Sequence, residues 1–166
     1  TILERSKQDR VPYDVWAEQG YITSTPGSTV DYSFLRRDMV QADRDFYVKE
    51  IAFDRWNTSQ LITLLTEEDG LVLVEFGQGW KDMSPGTKDL LSFVLGRKIA
   101  HDGNPVLRWN INNMAVKTDA AENVKPAKDE SGDRIDGAVA LIMALRRMQL
   151  HEGNGSVYDN RGIEIF

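Results

Sequence analysis

Two carboxylates stand where the surrounding sequence is apolar. Asp54 closes the run Ile51-Ala52-Phe53-Asp54, and Asp136 opens Asp136-Gly137-Ala138-Val139-Ala140-Leu141-Ile142-Met143-Ala144-Leu145. An ionised carboxylate drawn away from bulk water needs a counter-charge or a metal ion. One at the carboxyl end of a strand and one at the start of a distant helix can meet in a single crevice, the usual place for a site in an α/β protein. The chemistry such a pair supports is phosphodiester hydrolysis with divalent cations held on Asp54 and Asp136. Each also has a plainer explanation. Asp54 precedes Arg55-Trp56-Asn57-Thr58 and could lead into the next helix, where a carboxylate meets free N–H groups. Asp136 lies in Ser131-Gly132-Asp133-Arg134-Ile135-Asp136-Gly137, and first-turn acids are favoured by the helix dipole. Asp133 fits the capping role better, which leaves Asp136 a turn further in, near the face of Ile135, Val139 and Met143, where poor solvation is expected.

Composition narrows the chemistry. The absence of cysteine excludes disulfides, thiolate zinc sites and cysteine nucleophiles together. With only His101 and His151 available, a histidine-rich metal site is disfavoured, so the cation expected is a hard one on oxygen ligands, Mg²⁺ or Mn²⁺. His101 follows a helix end and suits its negative pole, while His151 reads as a solvated linker residue. No serine sits in a Gly-x-Ser-x-Gly elbow, and Gly77-Gln78-Gly79-Trp80 lacks the third glycine and the following acid of a dinucleotide fingerprint. A net charge of −6 argues against gripping nucleic acid by bulk electrostatics, so another domain or a local basic patch would have to hold a strand. Lys125 and Lys128 are the candidates, because their loop leads directly to Asp136. Arg36-Arg37 and Arg146-Arg147 read as solvated pairs, and Trp56, Trp80 and Trp109 as core or rim packing.

The elements that must position these groups follow from periodicity. Pro12 to Gly20 reads as a short helix and Ile22 to Thr25 as a strand stopped by Pro26-Gly27. From Asp31 a helix is marked by Leu35, Met39, Ala42 and Phe46. Strand Glu50–Asp54, a helix with Leu61, Leu64 and Leu65, and the continuous run Leu71-Val72-Leu73-Val74-Glu75-Phe76 predict a parallel pair buried on both faces. Ser84-Pro85-Gly86-Thr87 has the hydroxyl and proline of a helix start, ahead of Leu90, Leu91, Val94 and Leu95. Val106 to Trp109 and Met114 to Lys117 are expected as antiparallel edge strands, extended by Asn123 to Pro126 after a turn at Asp119 to Glu122. Lys125 to Asp133 is a polar loop delivering the chain into a helix that starts near Asp133. After Leu150, His151 to Ser156 reads as a flexible linker before a short tail.

At 166 residues the chain suits one domain, assigned to 1–150 with linker and tail over 151–166. No segment approaches the ~20 apolar residues that span a bilayer, and Thr1-Ile2-Leu3-Glu4-Arg5 carries no signal-peptide pattern, so a soluble intracellular protein is expected. The absence of an initiator Met suggests a piece of something longer.

The chain resembles the nuclease domain of the large terminase subunit of tailed bacteriophages. The matching segments are Arg10-Val11-Pro12-Tyr13, Thr25-Pro26-Gly27 with Val30-Asp31-Tyr32, Ile51 to Asn57, and Gly77-Gln78-Gly79 with Met83-Ser84-Pro85. They continue through His101, Asn104 to Trp109, Asn113, Lys125-Pro126, Asp133 to Gly137 and the tail Tyr158 to Gly162. The set is collinear over nearly the whole chain. The resemblance implies an α/β, ribonuclease H-like mixed sheet flanked by helices, and a carboxylate cluster binding two Mg²⁺ or Mn²⁺ ions. The family's second and third acids fall on Asp54 and Asp136. Its first acid belongs to an opening strand, and Thr1 corresponds to a point after the opening hairpin, so the sheet is expected to be truncated there. The implied function is a DNA endonuclease that cuts concatemeric phage DNA in the host cytoplasm, with double-stranded DNA, an ATPase motor domain, the small terminase subunit and the portal as partners. By itself the chain is expected to be weakly active or inactive. A non-catalytic remnant or interaction module of the packaging motor stays open as the alternative.

Overall fold

The computed structural model describes residues 1–27, 31–54 and 59–153. Expectations for Val30, for the segment Arg55 to Thr58 including Trp56, for the linker beyond Gly153 and for the tail lie outside these residues.

Helix α1 (Ile2–Asp9) opens on a capping box, in which the Thr1 hydroxyl accepts the Glu4 N–H while the Glu4 side chain reaches back. Helix α2 (Tyr13–Glu18) follows from Pro12 as expected. Beyond it the expected strand Ile22–Thr25 is irregular chain. The N–H groups of Tyr21 and Ile22 both turn back to the Trp16 carbonyl, so this β-prone run closes a helix end instead of finding a sheet partner. Helix α3 (Tyr32–Phe46) starts at Asp31, whose side chain accepts the Ser33 N–H at 2.9 Å.

Strand β1 (Ile51–Phe53) and strand β2 (Leu73–Glu75) pair in parallel, with Ile51 opposite Leu73 and Phe53 opposite Glu75. Between them lies α4 (Ser59–Thr63), which widens into a π turn over Leu64–Glu68. The strand–helix–strand expectation therefore holds, but not burial on both faces. Val72 is 58% exposed, because among the described residues β1 and β2 form a sheet of two strands whose faces are not both covered. Leu61, Leu65 and Leu71 make a small core against Met39, Val40, Ile51 and Leu73. Arg36 locks α3 to the end of the π turn through a fork onto Asp69, at 2.6 and 2.9 Å, and a bond to Glu68 at 2.7 Å, so it is not the free solvated group expected.

Helix α5 (Trp80–Leu95) begins four residues before the expected start, with Pro85 inside it. The Ser84 hydroxyl does not cap the helix; it accepts the Val124 N–H at 3.1 Å and so ties α5 to the neighbouring strand. Gly86 is where α5 meets the last helix. A Cβ there would lie 2.7 Å from the Ile142 carbonyl oxygen, so only glycine permits this approach.

Val106 to Trp109, expected as a strand, is helical: α6 spans Pro105–Asn113. The Asn104 side chain accepts the N–H groups of Val106 and Leu107 at 3.0 and 3.1 Å, and Pro105 sits where its missing N–H costs nothing. Strand β3 (Val116–Thr118) pairs antiparallel with β4 (Val124–Pro126), so the hairpin forms one segment later than expected. Helix α7 (Asp136–Gly153) starts at Asp136 and not near Asp133, and it continues through His151, where the linker was expected. The main core joins Phe76, Met83, Leu90, Ile135, Val139, Ile142, Met143 and Leu145, with α7 at its centre.

Candidate active site

An open cleft of about 670 Å³ lies between β1 and α7. The helix contributes Asp136, Ala140, Met143, Arg147 and His151, spaced so that they share one face. The strand side contributes Glu50 to Asp54, with Glu50, Ala52 and Asp54 at alternate positions. Asp54 and Asp136, distant in sequence, thus line the same cleft, together with Gln78 and Lys128.

The surroundings of the two acids differ from the expectation of shielded charges. Asp136 is 71% exposed, and its Oδ1 lies 3.0 Å from the Lys128 ammonium, itself 53% exposed. A helix start keeps its first side chain at the rim, and the apolar positions that follow carry the burial instead. At this exposure the pair contributes about 0–1 kcal/mol to stability. Its significance is positional, since it shows a cation accepted at the Asp136 carboxylate. Asp54 is half-buried at the end of β1.

Lys125 lies on β4, not in the loop. Its ammonium sits 3.4 Å from the Gln78 carbonyl oxygen and 5.0 Å from the centroid of the Trp80 ring, a cation–π contact. Lys125, Lys128 and Lys117 line a second groove with Trp80, and this groove shares Gln78, Lys128 and Val139 with the cleft. Lys117 is held by Asp129 at 2.6 Å and Glu130 at 3.1 Å, which raises its pKa. Of the two predicted lysines, Lys128 stands at Asp136, and Lys125 shares the neighbouring groove with it.

Two positioning features were not anticipated. Asn110, 5% exposed, accepts the Gly137 N–H at 2.7 Å and donates to the Val106 carbonyl at 3.1 Å. It satisfies a free donor in the first turn of α7, beside Asp136. The second is at the other end of the cleft. Glu50, its side chain 7% exposed, accepts from Arg147 Nε and, at 2.8 Å, from Arg147 Nη2, while His151 Nε2 lies 2.9 Å from Glu50 Oε2. Arg147 was expected to be solvated and His151 to be a linker residue; both instead face this buried acid. The Arg147 hydrogen bonds, opposed by burial and assisted by His151, pull the Glu50 pKa down to about 2. The helical spacing from Asp136 to His151 was a visible signal for a shared face, but a buried acid opposite it was not.

A family model, "Terminase large subunit, endonuclease domain", matches residues 2–152, and the chain belongs to that family. Among curated relatives, it is 41% identical to the "Terminase, large subunit" of Enterobacteria phage HK97 over 98% of this chain and 31% of that protein. It is 35% identical to "Protein YmfN" of Escherichia coli strain K12 over 89% of this chain and 33% of that one. In structure it is similar to the crystal structure of the HK97 large terminase, with a TM-score of 0.78 and 43% identity over 87% of this chain and 30% of that one. The mixed helix and strand architecture is therefore that of the HK97 terminase, and the chain spans about a third of the length of these relatives. No helix among the described residues is long and apolar enough to cross a membrane.

Proposed function

We propose that this chain is a metal-dependent DNA endonuclease domain, ribonuclease H-like in topology, that cuts concatemeric DNA during phage packaging. The observation that supports this reading is the convergence of Asp54 and Asp136 on one cleft whose rim carries Lys128. The donor chemistry suits Mg²⁺ or Mn²⁺: two carboxylates and a nearby amide, all hard oxygen ligands. Among the described residues no three His, Cys, Asp or Glu side chains converge. That is compatible with Mg²⁺, which keeps several waters and takes one or two carboxylates plus substrate phosphates.

In this reading Asp54 and Asp136 would hold the cations. Such cations, when bound, would supply an activated water and stabilise charge on the leaving oxygen of the displacement. The remaining work belongs to the chain. Asn110 holds the start of α7 and so orients Asp136. Lys128 neutralises Asp136 and is placed to move onto a DNA phosphate, and Lys125 offers a second phosphate contact from β4. Double-stranded DNA is the substrate, with the ATPase motor, small terminase subunit and portal as partners in the host cytoplasm.

The test is nicking of supercoiled plasmid with Mn²⁺, comparing the chain with Asp54→Asn and Asp136→Asn. Loss of nicking in both variants, with folding retained, is the expected result. Equal activity in all three would place the chemistry elsewhere, and no nicking by any of them together with Mn²⁺ binding indifferent to both substitutions would return the interaction-module alternative.

A further inference from the structure

We infer that Glu50, Arg147 and His151 form a clamp that sets the position of Asp136 relative to Asp54. They are positioning residues for the carboxylate pair, so the inference rests on the site assigned above.

The cleft has two facing stripes that run in opposite directions. Along β1 the stripe goes from Glu50, just before the strand, to Asp54, just after it, and on α7 it goes from Arg147 back to Asp136. Four strand residues span about 13 Å at ~3.3 Å per residue. Eleven helix residues span about 16 Å at ~1.5 Å per residue. The two arms differ by only about 3 Å, so joining Glu50 to Arg147 at one end brings Asp54 and Asp136 to neighbouring levels at the other, in the one cleft they both line.

The contacts between these ends are small and apolar. Ala52, Ala140, Met143 and Ala144 line the middle of the cleft, and Ala52 packs on the core that includes Val139 and Met143. Such contacts are non-directional and resist sliding weakly. The Arg147 fork on Glu50 is directional, because two parallel N–H···O bonds fix both distance and plane. His151, one turn further along α7, adds a second contact to Glu50 Oε2. A slip of one helical residue would move Asp136 by about 1.5 Å and rotate it by about 100°. Metal–ligand distances tolerate only about 0.2 Å. A clamp that prevents this slip acts on the metal site without touching it.

The chain has no cysteine, so nitroxide labels can be placed cleanly on an Asp54→Cys/Asp136→Cys pair, and their dipolar coupling reports the separation without any metal. A single narrow separation is expected in the parent background. With Glu50→Gln it should broaden or shift, and with Arg147→Lys, which keeps the charge and loses the fork, it should do so as well. Arg36→Ala, which breaks a comparable ion-pair fork remote from the cleft, should leave it unchanged. In unlabelled protein the Mn²⁺ half-saturation concentration should rise about tenfold with Glu50→Gln. Should Glu50→Gln fail to fold, Arg147→Lys carries the same comparison. Unchanged label separation in folded clamp variants overturns the clamp. An altered separation with Mn²⁺ binding indifferent to Asp54→Asn and Asp136→Asn upholds the clamp and overturns the metal-site reading instead.

Discussion

The Asn110 side-chain oxygen accepts the backbone N–H of Gly137 at 2.7 Å, which couples α6 to the residue next to Asp136. Asn110 is buried and its amide donates to the Val106 carbonyl, so both ends of the side chain are engaged. Replacing it with alanine would leave the Gly137 donor unsatisfied in a partly buried place. Asn110→Ala should destabilise the protein by about 1–3 kcal/mol. Denaturant unfolding measures this, and Mn²⁺ binding by the folded variant should weaken as well, because the start of α7 loses its anchor.

Glu50 gives acid stability a defined sign. Its folded pKa of about 2 lies below its ordinary value of 4.5, so its contribution is fully present above pH 4.5 and is lost as pH falls toward 2. A shift of this size is on the order of 3 kcal/mol for a buried carboxylate. Thermal melts between pH 2 and 6 should show a steeper loss in the parent chain than in Glu50→Gln. Parallel curves would mean that the Arg147 pair contributes no net stability.

Gly86 permits the close approach of α5 to α7. Gly86→Ala should force the helices apart, since the new Cβ would meet the Ile142 carbonyl oxygen at 2.7 Å and the Arg146 Cβ at 3.0 Å. The helix-propensity gain of about 1 kcal/mol is expected to be outweighed by overpacking of about 1–3 kcal/mol. A melting temperature above that of the parent would show that α7 shifts without strain.

Lys125 and Lys128 contribute little to folding, since the Lys128–Asp136 pair is exposed and Lys125 rests on the rim at Trp80. Replacing both with alanine should leave the melting temperature within a few degrees of the parent. DNA affinity should fall, and the dependence of log affinity on log salt should flatten by roughly one unit for each lost phosphate contact. Filter binding across a salt series checks this, and an unchanged slope would mark both as ordinary solvated charges.

Local chemistry made much of this molecule legible without coordinates. The parallel strands around Glu50–Asp54 and Leu71–Phe76 follow from apolar runs separated by a helical stripe, and Asp54 and Asp136 stand out because carboxylates at the ends of such runs need a reason. The Asn104-Pro105 pair also carried the start of α6 in its capping oxygen and missing N–H, although the β-prone Val106 to Trp109 pointed toward a strand. What tertiary structure alone decided is which side chains face one another across the fold. Whether Arg147 points to water or to Glu50 depends on how α7 lies on β1, and 97 residues separate the two in sequence. Likewise Ser84 could cap a helix or hold a strand; the position of Val124 determines which, because a hydroxyl bonds whichever donor packing brings within reach. Periodicity reports the face of an element, whereas the partner of that face is set by packing between elements that the chain brings together only when folded.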